Sequence, residues 1–330
     1  MRAAVLTADH TFEVESVPDP TPGPGDLVVR VEACGICGSD LKAHGHMPGG
    51  TVMGHEFCGE VVAVGHDAAG RWHEGELVAA LPLTACGRCR WCLADDAAHC
   101  ESFDPQGVGG SPGAFAEFIR VDAGSAVLLR EDLGELGALV EPLAVGLHTV
   151  ETARVRPADR VLVIGGGNVG AAVSTWARRL GAAEVVVSDP SATRRESAGL
   201  FGATDVHDPA EGPPPTGFDV VIECVGLPGL IQVAMDAAAV HGRVVVAGVC
   251  TTPDQFQPLT AVLKELQVGF AVYYRKSEFA AAAALLESGD LDASAFVTGR
   301  VGLDGVGPAF AHLLSSSTER KILVTPNKDA

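Results

Sequence analysis

Three kinds of metal-binding side chain stand close together in the first part of the chain. Cys37 opens a Cys-Gly-Ser-Asp run, and His55 and Glu56 follow one short loop later. A thiolate, an imidazole and a carboxylate together suit a catalytic zinc ion, because such sites keep a position for water or substrate. The alternative is that Cys37 and His55 are ordinary half-buried residues, since cysteine is among the residue types most often buried. The pattern favours a reaction centre.

A second cluster consists of thiols alone. Cys86, Cys89, Cys92 and Cys100 are separated by two, two and seven residues. Four thiolates at this spacing can complete a tetrahedral zinc site without another donor, so the segment predicts a structural zinc ion. An iron–sulfur cluster uses similar spacings, although no second cluster motif is present here, and four free thiols are the remaining alternative. His99 lies within the segment and is predicted to be a solvated neighbour.

A glycine-rich turn predicts a dinucleotide-binding site. The apolar strand that starts at Arg160 runs into Gly165-x-Gly167-x-x-Gly170, and a helix-like segment follows. Glycines there let the backbone approach a pyrophosphate at the N-terminus of a helix. Asp189 ends the next strand, 24 residues after Gly165, close to the distance expected for a carboxylate that binds the adenosine ribose. Because this carboxylate repels a 2′-phosphate, the cofactor is predicted to be NAD.

Five further residues are assigned to the same cofactor site. Asn168 and Val169 lie within the glycine-rich turn. Val225 and Gly226 follow one later strand, and Val249 follows the next. A doubly wound sheet presents its crevice at these strand ends, so their backbones are expected to line the nicotinamide side.

Together these motifs resemble those of the zinc-dependent medium-chain alcohol and polyol dehydrogenases. The quoted patterns are Cys37-Gly38-Ser39-Asp40 and Gly54-His55-Glu56-x-x-Gly59-x5-Gly65. The resemblance extends over nearly the whole chain and implies an α/β fold. It implies a GroES-like β-rich catalytic domain at 1–144 and 275–330, with a structural-zinc lobe at 86–100. A Rossmann domain with a doubly wound parallel sheet is expected at 145–274, with a cleft between the two domains.

The resemblance also assigns the ligands of the catalytic zinc. Glu141 occupies a position that is Glu in polyol, threonine and sugar dehydrogenases and Cys in simple alcohol dehydrogenases. Cys37 and His55 are therefore expected to hold zinc, with Glu56 and Glu141 completing or adjusting the ligand set. Two arrangements stay open. Glu141 binds zinc directly, or Glu141 holds the zinc-bound water while Glu56 exchanges into the ligand set. Glu141 has the further alternative of merely favouring a helix N-terminus. Asp40 is expected to orient His55.

A proton must leave the alcohol, and Ser39 is expected to take it. Many members of the resembled family carry a His two residues after the Asp of the first motif, whereas this chain has Lys42. A lysine with a reference pKa of ~10.4 is a poor proton acceptor near neutral pH, so Lys42 is expected to bind the cofactor ribose or a phosphate. His44, with a reference pKa of ~6.5, is the candidate acceptor besides water. The resemblance places Arg194 on the adenine side of the cofactor.

Composition excludes several classes of partner. The 330-residue chain has a formal charge of −19, which disfavours nucleic acid because a basic stripe is the expected footprint there. No apolar run approaches the ~20 residues that span a bilayer, and no signal-peptide core is present. A cytoplasmic protein without a membrane partner is expected. The resemblance implies a homodimer or homotetramer, with 268–274 as an edge strand that continues the sheet across a two-fold axis.

The predicted function is hydride transfer between NAD and a secondary alcohol or ketone on a polyol, sugar, cyclitol or amino alcohol. A biosynthetic zinc reductase of aldehydes, ketones or iminium groups would use the same metal and cofactor, so only relative rates in the two directions separate these alternatives. A metal-binding module without activity is the alternative from another class. A fold alone does not prove function, but the residues of the predicted site are intact.

Overall fold

The computed structural model describes residues 1–315 and 318–328. By its internal contacts the chain divides into two compact units. The catalytic unit comprises Met1–Glu141 and Arg275–Ala330, and the nucleotide unit comprises Pro142–Tyr274. The division falls inside a helix, close to the boundary that the sequence predicts. No helix within the described ranges is long and apolar enough to cross a membrane.

Within the described ranges, the chain consists of the following strands and helices. The strands are β1 (Arg2–Leu6), β2 (Phe12–Ser16), β3 (Asp26–Gly35), β4 (Glu56–Val64), β5 (Leu77–Ala80), β6 (Leu83–Thr84), β7 (Asp104–Pro105), β8 (Phe118–Asp122), β9 (Ala126–Leu128), β10 (Arg160–Ile164), β11 (Glu184–Ser188), β12 (Asp205–His207), β13 (Phe218–Glu223), β14 (Ala238–Val246), β15 (Gln267–Phe270), β16 (Val297–Val301) and β17 (Lys321–Val324). The α-helices are α1 (Gly38–Ala43), α2 (Arg90–Leu93), α3 (Val140–Thr152), α4 (Asn168–Arg179), α5 (Ala192–Ser197), α6 (Leu230–Ala237), α7 (Pro258–Lys264), α8 (Lys276–Ser288) and α9 (Val306–Ser315).

The catalytic unit is built on a seven-stranded sheet. Its strand order is β16-β17-β3-β4-β5-β9, and β8 also pairs with β3. Every neighbouring pair is antiparallel except β16 with β17. The register sets Gly35 of β3 opposite Glu56 of β4 on one side and opposite Leu323 of β17 on the other. Three strands that are distant in sequence therefore meet where the first motif begins.

The core of the catalytic unit comes from the alternation of β3. Leu27, Val29 and Val31 are fully buried, whereas Arg30 between them is exposed. Burying one such aliphatic side chain contributes ~1.5–3 kcal/mol. A cluster of aromatic rings extends this core: Phe12 and Phe310 have ring centroids 4.6 Å apart. This packing anchors α9, and with it the loop that follows α1.

The nucleotide unit contains a six-stranded sheet in which all strands are parallel. The order is β12-β11-β10-β13-β14-β15, which is the 3-2-1-4-5-6 order of dinucleotide-binding folds. β10 and β13 are central and consist mainly of fully buried Val, Leu and Ile, as expected for a parallel sheet covered on both faces. The predicted α/β fold class is confirmed.

The last strand of this sheet differs from the sequence prediction. The apolar run 268–274 was expected to be extended throughout, but β15 ends at Phe270. Tyr273 adopts a φ of +55°, which lies in the left-handed region and is incompatible with an extended strand. The chain therefore turns away from the sheet before Arg275, where it returns to the catalytic unit.

Candidate active site and metal centres

The first motif is held by the turn that starts α1. Cys37 immediately precedes this helix, and its backbone N–H donates to the Asp40 carboxylate over 2.9 Å. Asp40 is fully buried, so its second oxygen faces inward. His55 and Glu56 lie at the start of β4 and are both buried. Cys37, His55 and Glu56 each offer a ligand atom, and these three atoms lie within 4.8 Å of one another.

Asp40 orients the imidazole of His55. Its Oδ1 lies 3.1 Å from His55 Nδ1, and Ser39 Oγ lies 3.5 Å from Nε2 on the other edge of the ring. Burial disfavours the charged imidazolium, but the charge of Asp40 and contacts with Cys37 outweigh burial and raise the pKa of His55 well above its usual value. Because Nδ1 faces the carboxylate, a metal ion would bind Nε2 and would replace the proton that Nε2 carries in the imidazolium.

A buried lysine stands beside Glu56. Lys321, at the start of β17, donates from Nζ to Glu56 Oε2 and, over 2.9 Å, to the carbonyl oxygen of Ile36. Burial alone would lower the pKa of Lys321, but the charges of Glu56, Cys37 and Glu141 outweigh it and raise that pKa. The sequence gives no sign of this role, because a lysine at the start of an apolar strand usually marks a solvent-exposed strand end. Its partners lie more than 260 positions earlier.

Glu141 lies in the first turn of α3 and is buried. It is not part of the three-residue metal-capable group found among the described residues. Its charge nevertheless acts on Lys321, so it belongs to the same buried polar region. A thiolate, an imidazole and a carboxylate in mutual reach fit zinc, and Glu141 remains a predicted fourth partner whose direct ligation is a proposal.

The proton path proposed from the sequence runs from Ser39, in α1, to water or to His44, which follows that helix. His44 Nδ1 lies 2.9 Å from the carbonyl oxygen of Leu41 and therefore donates its proton there, which leaves Nε2 as the only acceptor of this ring. The ring also packs edge-on against Phe310 at 5.7 Å. Within residues 1–315 and 318–328, no direct hydrogen bond joins Ser39 to His44. Lys42 lies in the last turn of α1 and is half-buried.

The four-thiol lobe has the geometry of a closed metal site. Cys89 Sγ lies 3.5 Å from Cys92 Sγ, which lies 4.0 Å from Cys86 Sγ. Tetrahedral zinc with bonds of ~2.3 Å sets sulfur atoms ~3.8 Å apart, so the thiols fit this ion. Cys100 Sγ accepts from the backbone N–H of Cys86 over 3.2 Å. Backbone N–H donors, above all that of Cys92, lower the pKa of Cys89 to about 6, which favours a thiolate.

The same lobe caps a helix elsewhere in the catalytic unit. Asp95, three residues after Cys92, accepts from the backbone N–H of Lys276 over 3.2 Å and from that of Ser277 over 3.1 Å. These amides open α8, where the chain returns from the nucleotide unit. This contact could not be predicted from the sequence, because capping across 181 residues leaves no local signal. His99 pairs with Asp96 over 2.7 Å and lies outside the thiol group.

The glycine-rich turn closes between β10 and α4. Gly165 has a φ of +98°, which favours glycine, and a Cβ at Gly170 would lie 1.8 Å from the carbonyl oxygen of Gly165. Gly167 is the N-cap of α4, and Val169 lies in the first turn of that helix. The side-chain amide of Asn168 has both polar atoms buried without a partner among the described residues. An unpartnered amide at a helix N-terminus fits a bound dinucleotide.

Asp189 follows β11 and is almost fully buried. Its Oδ2 accepts from the backbone N–H of Gly166 over 2.7 Å, and its Oδ1 accepts from that of Ser191 over 2.8 Å. The guanidinium of Arg194 lies 3.6 Å from Oδ2. Arg195 instead donates to the Asp189 carbonyl oxygen and to Asp208. Arg194 is therefore the arginine beside the predicted ribose-binding carboxylate, whereas Arg195 fixes the turn that carries it.

The residues assigned to the nicotinamide side meet at the ends of β13 and β14. Glu223 Oε1 accepts from the backbone N–H of Val225 over 2.6 Å and from that of Gly226 over 2.8 Å. A Cβ at Gly226 would lie 2.4 Å from the carbonyl oxygen of Val249, so the two loops touch through their backbones. The buried Glu223 thus shapes the loop that carries Val225 and Gly226.

Comparisons with known proteins bear on both units. The family model described as "Alcohol dehydrogenase GroES-like domain" matches residues 23–131, and that described as "Zinc-binding dehydrogenase" matches 168–288. A 2-dehydro-3-deoxy-L-galactonate 5-dehydrogenase of Pseudoalteromonas atlantica is 32% identical, with 100% of both chains covered. An (R,R)-butanediol dehydrogenase of Bacillus subtilis is 29% identical over 99% of this chain and 100% of its own. A solved zinc-binding dehydrogenase of Sinorhizobium meliloti 1021, bound to NADP, is 32% identical with a TM-score of 0.90, covering 98% and 99% of the two chains.

The chain belongs to the zinc-dependent medium-chain dehydrogenase family. It is an oxidoreductase that acts on CH–OH groups with zinc and a nicotinamide dinucleotide. The predicted family, class of enzyme and kinds of cofactor are thereby confirmed. The individual roles of the site residues, the choice between NAD and NADP, and the substrate are proposals.

Proposed function

We propose that this enzyme reversibly oxidises a secondary alcohol on a polyol, sugar, cyclitol or amino alcohol with NAD. The observation that carries the proposal is the convergence of the ligand atoms of Cys37, His55 and Glu56. The names of two relatives support the substrate class, since one acts on a deoxy sugar acid and the other on a vicinal diol. Reduction of aldehydes, ketones or iminium groups as the main physiological direction has no specific observation in its favour.

We assign a task in this reaction to each of the site residues in the catalytic unit. Cys37 and His55 would hold a zinc ion, which would supply a Lewis acid for the alcohol oxygen, and NAD would supply the hydride acceptor. Asp40 holds Nδ1 of the His55 imidazole, so that Nε2 would be the nitrogen that binds the metal. Ser39, whose Oγ lies beside Nε2, takes the hydroxyl proton and passes it to water or to His44.

The nucleotide unit holds the cofactor by three sets of groups. The glycine-rich turn and Asn168 receive the pyrophosphate, and Asp189 accepts from the adenosine ribose hydroxyls. Arg194 lies on the adenine side. The backbones of Val225, Gly226 and Val249 receive the nicotinamide end. Lys42, in the last turn of α1, is assigned to the ribose or a phosphate of the cofactor.

An activity screen tests the function directly. Protein of measured zinc content is incubated with NAD and with polyols, cyclitols, sugars, amino alcohols and simple secondary alcohols, and cofactor reduction is followed. We expect the highest kcat/KM for an alcohol with a neighbouring hydroxyl or amino group. Preference for simple alcohols without such a group contradicts the substrate class. No reduction of cofactor by any alcohol, with zinc bound, favours a module without activity.

Replacing Ser39 by alanine is expected to lower turnover by roughly 10²-fold or more, because positioned proton transfer contributes that much. Lys42→Ala should mainly raise the KM for NAD.

His44→Ala should flatten the neutral limb of the pH–rate profile for alcohol oxidation. His46→Ala is the matched control, because His46 lies on the same loop and is exposed. A His44→Ala profile identical to the wild-type profile, with hydride transfer rate-limiting, removes His44 from the proton path.

Replacing Asp189 by asparagine is expected to reduce the preference for NAD over NADP. The amide keeps the size of the side chain and one acceptor, but it loses the charge that repels a 2′-phosphate and strengthens the ribose hydrogen bonds. The ratio of kcat/KM values for the two cofactors should fall by about 10-fold or more, since a hydrogen bond to a charged group contributes ~1.5–3 kcal/mol. Asp205→Asn, at an exposed site on β12, is the control. Equal use of both cofactors by the native enzyme contradicts the assignment.

Self-association is proposed through the edge of the parallel sheet. β15 is the terminal strand of that sheet, and Phe270 on it is 67% exposed. The neighbouring α7 exposes Leu259, Val262 and Leu263. A second copy that pairs along β15 would cover this apolar surface and yield a homodimer, or a homotetramer with one further interface. Sedimentation distinguishes these states.

The thiol-rich lobe is suited to a reducing compartment such as the cytoplasm, and the charge of −19 argues against nucleic-acid partners.

A further inference from the structure

A buried carboxylate ends one of the central strands of the parallel sheet. Glu223 is the last residue of β13 and is only 1% exposed. A charge is buried at a high cost unless polar partners replace the water that it loses. Here Oε1 accepts from the backbone N–H groups of Val225 and Gly226, over 2.6 and 2.8 Å. The carboxylate is therefore held by the loop that follows its own strand, residues 224–226.

The same residue also holds the loop after β14, residues 247–249. The carbonyl oxygen of Glu223 accepts from the N–H of Ala247 over 2.8 Å and from that of Gly248 over 3.0 Å. A Cβ at Gly248 would lie 2.5 Å from Glu223 Oε2 and 2.1 Å from the backbone nitrogen of Gly226. Only a glycine fits at this contact. Glu223 thus contacts both of these segments, which are called the nicotinamide loops below.

The hydrogen bonds of the carboxylate fix the direction in which the first nicotinamide loop faces. A trans peptide group is planar, and its N–H and C=O point to opposite sides. Since the N–H groups of Val225 and Gly226 point at Glu223, the carbonyl oxygens of the same two peptide groups point away from it. Such carbonyls suit the carboxamide of a nicotinamide, whose amino group can only donate. The side chain of Val225 also packs on the glycine-rich turn, where a Cβ at Gly165 would lie 2.5 Å from its Cγ2.

We propose that Glu223 is a positioning residue that acts on the nicotinamide end of the cofactor through the backbone of the nicotinamide loops. The inference rests on the proposed function, in which Val225, Gly226 and Val249 receive that end. The adenine side has separate support, because Asp189 on the other side of β10 has backbone hydrogen bonds of its own. Removal of Glu223 should therefore affect the nicotinamide end and spare the binding of the ADP-ribose part.

Glu223→Ala provides the main test, with dissociation constants measured for NAD, for NADH and for ADP-ribose, which lacks the nicotinamide. We expect both complete cofactors to bind about 10-fold more weakly or worse, the equivalent of one charge-assisted hydrogen bond. ADP-ribose should bind within about 2-fold of its wild-type affinity. In the protein without cofactor, hydrogen exchange of the Val225 and Gly226 amides should become faster. Turnover should fall about 10-fold or more, because a small displacement of the reacting carbon slows the transfer.

Asp219→Ala is the matched control. Asp219 lies near the start of the same strand, and its carboxylate also accepts from a backbone N–H, that of Arg160, over 2.9 Å. This contact is at the opposite end of β13 from the nicotinamide loops. Its loss should therefore change the affinities for NAD, NADH and ADP-ribose by less than about 2-fold.

Two further variants separate the reach of the side chain from its charge. Glu223→Gln keeps the length and an acceptor oxygen, so it should bind NAD more tightly than Glu223→Ala does. Glu223→Asp keeps the charge but is one methylene shorter, so its affinity for NAD should resemble that of Glu223→Ala. The reverse order of these two variants means that charge and not position is what matters, and it overturns the proposal. The two variants also supply the test if Glu223→Ala does not fold.

The possible outcomes distinguish this inference from the proposed function. If the wild type binds neither NAD nor ADP-ribose, the proposed function fails and this inference fails with it. If the wild type binds both, but Glu223→Ala weakens NAD and ADP-ribose by the same factor, the role of Glu223 is merely structural. That result overturns the positioning role and leaves the proposed function standing. Unchanged binding of NAD and NADH in every Glu223 variant overturns the positioning role as well.

Discussion

Replacing Cys37 by serine is expected to abolish turnover while the fold is retained. The thiolate is one of the three side chains whose ligand atoms converge, and a neutral hydroxyl is a much poorer ligand for zinc. Loss of a Lewis acid that stabilises charge by several kcal/mol corresponds to a fall in kcat/KM of ~10³-fold or more. Cys37 holds Asp40 through its backbone N–H, which serine keeps, so the start of α1 should be unchanged.

The matched control for this substitution is Cys58→Ala. Cys58 is also close to His55 in sequence, but its thiol contacts the carbonyl oxygen of Gly134 and packs in the interior. The control should keep both zinc ions and most of the activity. Metal content, circular dichroism and kcat/KM are measured for both variants. Substantial activity in Cys37→Ser, with one zinc fewer, would show that catalysis does not depend on this site.

Replacing Cys92 by serine is expected to remove the other zinc and to destabilise the protein. In small zinc-binding peptides the structural ion contributes an apparent ~10–16 kcal/mol, so losing it should lower the free energy of unfolding by several kcal/mol here. Asp95 lies three residues further on, and its two hydrogen bonds cap α8. Loss of a helix cap costs ~1 kcal/mol by itself, so part of the destabilisation should appear at α8.

Denaturant unfolding, zinc content and hydrogen exchange of the first turn of α8 measure this effect. Asp95→Ala is the matched comparison, because it removes the cap and leaves all four thiols. It should retain both zinc ions and lose only the protection of α8. If Cys92→Ser keeps its full zinc content, the four-thiol group is not a metal site and the cysteines are free thiols.

The sequence predicts those parts of the site that are encoded locally. The glycine-rich turn, the four-thiol lobe and the Cys-Gly-Ser-Asp run each place their residues within one short segment, so spacing alone identifies them. The parallel sheet follows from repeated apolar strands separated by helical segments, and its strand order agrees with the expected fold. These are the features whose geometry is fixed by a few consecutive residues.

The remaining features depend on contacts between distant segments. Lys321 meets Glu56 because β17 and β4 flank the same strand, and Asp95 meets α8 across the catalytic unit. A single sequence carries no signal for either pairing. The end of β15 at Phe270 was also missed, since the apolar run continues to Tyr274 while the backbone turns earlier. Such contacts and strand ends become apparent only when the pairing of the strands is known.

In the proposed reaction, hydride passes from an alcohol carbon to the cofactor at the metal site formed by Cys37 and His55. It is tested most directly with the best alcohol of the activity screen, deuterated at its carbinol carbon, and with the mass of the reduced cofactor as the readout. We expect the reduced cofactor to carry the deuterium, and we expect Cys37→Ser to form no deuterated cofactor at a comparable rate. Reduced cofactor without deuterium, or deuterium transfer of equal rate in Cys37→Ser, would contradict it.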